Sequence, residues 1–192
     1  MVGRTHDLVA FTAMNIVVAT QPLPPMTLAT ALVAFGTNMI GGLVPDLDDA
    51  NSRIWSCFRG GSIVGKIVDP FIGHRNISHS ILGIFLFAVI GKLVTGLLSS
   101  WILIDWNVAW WAFMIGVVSH LAADAVTRDG IPLFFPLHWK VGFPPIKFLR
   151  IKTGGLIETF LVFPGLILLN IWLFYSHYSL YVSFFKHLVS KS

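Results

Sequence analysis

The chain has 192 residues, 55% of them hydrophobic and only 11% charged, with a mean hydropathy of +0.78. Average soluble domains carry about 25% charged residues, so composition excludes an ordinary soluble globule and implies an integral membrane protein of one helical domain. The single cysteine, Cys57, excludes an internal disulfide and a thiolate metal site, and the net charge of +4 gains meaning only from where the basic residues lie.

Residues 8–20 form the first apolar segment, preceded by Arg4, His6 and Asp7. It is shorter than the about 20 residues of a usual span. Asp7 and the poor cleavage site Ala19-Thr20-Gln21 separate it from a secretory signal peptide, so His6 is expected to be retained. Pro22, Pro24 and Pro25 then break the segment.

A second helix is predicted over residues 26–44, rich in the Ala, Gly and Thr that let membrane helices approach closely. Pro45 ends it, because the residue before a proline is pushed out of helical geometry. Pro45-Asp46-Leu47-Asp48-Asp49 follows, and then a polar loop to residue 73 with Arg53, Arg59 and Lys66. The third helix is expected to start near Ile77, with Asn76 or Ser78 as its cap, and to run to Ser99.

The fourth, over residues 108–126, ends in Ser119-His120-Leu121-Ala122-Ala123-Asp124. A proline- and glycine-punctuated loop, 128–155, leads to a fifth helix over 156–175 that begins with Glu158. Leu180, Phe184 and Leu188 then recur at helical spacing, which fits a helix lying in the membrane interface. The expected fold is an all-α, polytopic membrane helical bundle of five spans, residues 1–176, with an interfacial tail, 177–192.

Arg4, Arg53, Arg59, Lys66, Arg75, Arg128, Lys140, Lys147, Arg150 and Lys152 all fall in the first flank and the two long loops, leaving Lys92, Lys186 and Lys191 elsewhere. The positive-inside rule makes those loops and the N-terminus cytoplasmic. That assignment uses no histidine or acid, yet it sends a set of them to one face: His6, Asp46, Asp48, His74, His79, His120, Asp124 and Glu158, the last being the sole glutamate of the chain.

An acid at the centre of a membrane helix costs about 2.5–3.5 kcal/mol, so several gathered together call for a compensating cation. His120 and Asp124, four apart, share a helical face. Imidazole plus carboxylate without thiolate suits a divalent metal, zinc first, with manganese or iron also compatible. The donors suffice for one to three ions, and paired ions clamp phosphoryl groups and activate water. Taken singly, each residue also has a structural explanation, a self-satisfied His120–Asp124 pair or a glutamate favoured by a helix dipole; their convergence on one side is what favours a metal.

Pro45-Asp46-Leu47-Asp48, His74-Arg75-Asn76-Ile77-Ser78-His79-Ser80, Ser119-His120-Leu121-Ala122-Ala123-Asp124 and Thr127-Arg128-Asp129-Gly130-Ile131-Pro132, with Glu158 downstream, resemble the YdjM-like, LexA-regulated group of bacterial membrane-bound predicted metal-dependent hydrolases. The resemblance covers residues 4–160. It departs at Asp49, where the family often has histidine, and at Asn76, where it often has glycine. The order of ligands is in turn similar to that of zinc-dependent phospholipases C. This likeness implies His6, Asp46, His79, His120, Asp124 and Glu158 as metal ligands and Asp48 or Asp49 as the base. It leaves Arg75 to meet substrate phosphate, which guanidinium pairs in bidentate fashion.

Two functions of different class follow. One is a hydrolase of phosphate esters, such as phospholipid head groups, resident in the bacterial inner membrane with its site on the cytoplasmic side; no nucleic-acid partner is expected. The other is a non-enzymatic metal-binding or metal-transporting protein, which would place its ionisable groups near mid-membrane, whereas here they gather at helix ends. Other membrane enzymes fit less well: the chain has no His-Glu-x-x-His, and no arginine stands five residues before His120.

Overall fold

The computed structural model describes residues 1–48, 77–137 and 139–190. Among them are six α-helices and no strand: α1 Gly3–Thr20, α2 Leu28–Leu43, α3 Ile81–Leu98, α4 Trp106–Ala125, α5 Phe163–Ser176 and α6 Tyr178–Ser190. A 3-10 segment, Val44–Asp48, continues α2 past Pro45, and a π-helical turn, Glu158–Val162, precedes α5. The expected all-α helical bundle is what the chain forms.

Four segments are long and apolar enough to cross a membrane: Leu28–Leu47, Ile81–Leu98, Trp106–Ala125 and Glu158–Ser176. The first of the five expected spans differs in kind. α1 has the length, but it buries Thr5, His6, Thr12 and Asn15 among α2, α4 and α5, and these polar positions lower its apolarity. It buries six of its 18 residues, much as α2 buries five of 16, and Ile16 on its outer face is 41% exposed. By contrast only 6% of the α3 span and 11% of the Glu158–Ser176 span are buried, which leaves them for lipid to cover.

Close contact between α2 and α4 organises the bundle. A Cβ on Gly116 would lie 2.2 Å from the Asn38 carbonyl oxygen, and one on Gly41 would lie 2.1 Å from that of Phe113. The two backbones therefore meet where neither carries a side chain, the small-residue packing that membrane helices use in place of hydrophobic attraction. Asn38 Nδ2 donates to Ala112 O at 3.1 Å and Thr37 Oγ1 to Ala109 O at 2.9 Å, tying the same pair. On the other side of α1, Asn15 Nδ2 donates to Asn170 Oδ1 and Asn170 Nδ2 to Thr12 Oγ1, both at 2.7 Å. This buried relay joins α1 to α5.

Helix ends follow local chemistry. Thr27 caps α2 through Thr30 N, and Asp105 caps α4 through Asn107 N and Val108 N. α3 begins at Ile81 rather than Ile77: residues 77–80 form a turn closed by Ser80 N donating to Ile77 O at 3.1 Å. Ser80, not Ser78, is the cap, its Oγ accepting from Gly83 N at 3.1 Å, because Ser78 Oγ is engaged with His79 Nδ1. The other expected cap, Asn76, lies outside the described residues.

Residues 127–155 fold back on the end of α4. Phe143 N donates to Ala125 O at 2.8 Å and Ile151 N to Val126 O at 3.1 Å, while Ile131 and Val141 exchange two bonds of 2.8 Å. Ile131 buries itself with Val117 and Leu121 of α4 against Ile84 and Phe87 of α3. At the opposite end of the bundle, α1, α2, α4 and α6 surround an apolar cavity of about 440 Å³ whose walls include Val18, Phe35, Trp111 and Phe184.

Candidate metal centre

His6 lies one turn into α1, Asp46 just past the end of α2, His79 in the turn before α3, His120 and Asp124 in the last turns of α4, and Glu158 in the first turn of the helical run into α5. Successive helices alternate in direction, so all of these positions occupy one end of the bundle. Only part of the set converges. Asp46, His79, His120 and Asp124 each offer one ligand atom, all within 4.8 Å of one another.

The four atoms form a closed ring of short separations. His120 Nε2 is 3.4 Å from Asp46 Oδ1 and 3.8 Å from Asp124 Oδ2; His79 Nε2 is 3.7 Å from Asp46 Oδ1 and 3.5 Å from Asp124 Oδ2. Tetrahedral ligands about 2.1 Å from a divalent ion stand about 3.4 Å apart. The donor spacing thus fits an ion without large movement. Among the described residues, His120 Nε2 and Asp124 Oδ2 are buried without a hydrogen-bond partner, a condition that destabilises a native core by roughly 1–3 kcal/mol per group unless something else satisfies it. A buried Asp/His group that could hold a metal ion is therefore present.

Surrounding contacts aim the four side chains. His120 Nδ1 lies 2.6 Å from Gly42 O; a carbonyl only accepts, so Nδ1 carries a proton and Nε2 is the ring nitrogen turned to the group, the orientation a ligating histidine has. His79 Nδ1 pairs with Ser78 Oγ at 2.9 Å. His6 Nε2 stands 3.1 Å from Asp124 Oδ1, with its ring stacked on that of His120 at 3.8 Å. The Met1 amino group meets the same Oδ1, and Oδ2 is left toward the cluster. His6 is thus beside the four, contacting Asp124. Asp46, at 23% exposed against 2% or less for the other three, marks the side on which the cluster reaches its surroundings.

Glu158 stands apart from the four-residue group. It is buried, and its Oε1 accepts from Val2 N while Oε2 accepts from Gly154 N, both at 2.8 Å. In this arrangement it anchors the start of α1 to the loop before α5. Asp48 ends the 3-10 segment, but its side chain, together with His74, Arg75 and Asp49, lies outside the described residues. Sequence reasoning missed Gly42 and Ser78, which orient the two histidines. The Gly41-Gly42 pair signals a close helix approach, but no sequence signal says which carbonyl meets which ring.

The sequence matches the family described as YdjM inner membrane protein over residues 1–188. It is 32% identical over 175 residues to the uncharacterized protein YvsG of Bacillus subtilis (strain 168), a match covering 91% of this chain and 95% of that protein. It is also 27% identical over 132 residues to the inner membrane protein YdjM of Escherichia coli (strain K12), covering 68% of this chain and 61% of that protein. The protein of the same name from Shigella flexneri matches to the same extent. No solved structure matches the chain.

Proposed function

The chain belongs to the family of YdjM inner membrane proteins, and from that premise we propose that it is a metal-dependent hydrolase of phosphate esters, phospholipid head groups among them, working at the cytoplasmic face of the inner membrane. The observation that carries this reading is the ring of Asp46, His79, His120 and Asp124 ligand atoms, separated by 3.4–3.8 Å around its edge. A structural pair would have been satisfied by two of these residues.

In this reading the four side chains hold a divalent ion, zinc favoured by the mix of imidazole and carboxylate donors. When bound, such an ion lowers the pKa of its water towards about 7 and withdraws charge from a phosphoryl oxygen. The protein's own groups do the rest. Gly42 O and Ser78 Oγ hold the two imidazoles in place, and His6 steadies Asp124. Asp48, next to the more exposed ligand Asp46, is assigned the proton of the attacking water. Arg75 is assigned the substrate phosphate, with His74 a further donor from the same loop. The cluster lies at the ends of the candidate spans, which favours a lipid substrate over a soluble one.

The decisive experiment is metal analysis of protein purified without chelators, followed by a screen of phosphodiesters and phospholipids. About one to three equivalents of a divalent ion together with metal-dependent turnover are expected. Protein that neither carries nor acquires metal would end this reading; bound metal without turnover on any phosphate ester would favour a metal-binding or transporting protein instead.

A further inference from the structure

The loop at residues 127–155 carries more exposed aromatic surface than a water-facing connection of this size has reason to hold. Trp139 is 70% exposed, Phe143 70% and Phe148 81%. This exposure is not that of a slack segment. Phe143 N is bonded to the last residue of α4 and Ile151 N to Val126 just after it, and Arg150 closes the intervening chain by donating from Nε to Pro144 O at 2.7 Å and from Nη2 to Pro145 O at 3.1 Å.

Those bonds also fix the depth of the loop. α4 is a candidate span of 20 residues, and the next span begins at Glu158; a helix of that length covers about 30 Å, the thickness of the hydrocarbon layer. Residues 143 and 151, held at the end of α4, therefore lie at the boundary between lipid and water. Aromatic rings collect at that level, where one part of the ring is wet and the other dry. The charge is predominantly positive. Residues 128–155 hold five basic side chains against one acid, Asp129. Arg150 is committed to the loop's own carbonyls, while Lys140, Lys147 and Lys152 are exposed.

We propose that this loop is a docking surface for anionic phospholipids, its rings entering the boundary layer and Lys140, Lys147 and Lys152 meeting the lipid phosphates. Each basic side chain near an anionic bilayer surface is worth about a fivefold preference, so three acting together select anionic over zwitterionic lipid without a shaped pocket. The inference does not rest on the metal reading: the loop residues that carry it are not ligands, and the test below reads lipid contact alone.

The full chain is reconstituted into vesicles of phosphatidylcholine with a minor fraction of phosphatidylglycerol, with bromine on the acyl chains of one lipid or the other. Fluorescence from Trp139 is isolated by difference against Trp139→Phe. Brominated phosphatidylglycerol should quench Trp139 beyond its share of the bilayer. The triple variant Lys140→Gln/Lys147→Gln/Lys152→Gln should lose that excess and retain quenching in proportion to composition. Proportional quenching in the parent protein, or an excess that survives in the triple variant, would overturn the proposal. So would no quenching by either lipid, the result expected if the face serves a protein or a nucleic acid.

Discussion

His120 Nδ1 meets the carbonyl oxygen of Gly42 at 2.6 Å, so the orientation of one candidate ligand is set by the backbone of a neighbouring helix. The contact exists because α2 and α4 touch at glycine. A side chain on Gly116 or Gly41 would separate the helices and with them Asp46 from His120, since Asp46 follows four residues after Gly42 on the same segment. Packing and site geometry are one feature in this protein.

Gly116→Ala should accordingly damage both. The added Cβ lies 2.2 Å from a backbone oxygen, which no side-chain rotation relieves, and overpacking of this kind destabilises by about 1–3 kcal/mol. A lower unfolding temperature in detergent and less bound metal are expected together. Gly36→Ala, where a Cβ meets nothing within 4 Å, should leave both unchanged or raise stability slightly through helix propensity. Equal behaviour of the two variants would show that the glycine contact does not matter.

Removal of a proposed ligand should separate from removal of the proposed base. His120→Ala and Asp124→Ala are each expected to abolish stoichiometric metal binding and, with it, turnover. Asp48→Asn, acting on the base alone, should keep most of the metal and lose about 10²- to 10⁴-fold in rate. Metal content by mass spectrometry and initial rates on the same preparations check this, and an Asp48→Asn protein that loses its metal would make Asp48 a ligand.

Glu158→Gln tests an anchor against a ligand. Both carboxylate oxygens accept backbone amides, and an amide in their place offers one acceptor where two are needed. A loss of about 1–3 kcal/mol of stability is expected, with metal stoichiometry kept once the protein is folded. Lost metal at unchanged stability would instead return Glu158 to the ligand set that the family resemblance implies.

Orientation is open to labelling. In a Cys57→Ser background, a cysteine at Lys140 or Lys147 should react with a membrane-impermeant maleimide only after the inner membrane is opened. A cysteine at Leu103, which is almost fully exposed and lies at the opposite end of the bundle, should react in intact spheroplasts. The reverse pattern would put the cluster on the outer face.

By itself, the sequence determined the membrane class, the all-α architecture and the end of the bundle at which the polar residues collect. Span direction alternates, so counting apolar segments and basic loops is enough to send His6, Asp46, His79, His120, Asp124 and Glu158 to one side. Family membership was also legible, because the motifs stand in order along most of the chain. Tertiary structure decided which of those residues meet. In water an apolar stripe marks the buried face of a helix, but a membrane helix is apolar toward lipid and neighbour alike, so periodicity says little about its rotation. The facing of α2 and α4 is set by Gly41, Gly116 and Asn38, and that of α1 by Thr12 and Asn15, through contacts whose partners lie far away in the chain. For the same reason Glu158 found two backbone amides. The gathering of His79 and His120 with two aspartates within 4.8 Å likewise follows from how closely the helices pack.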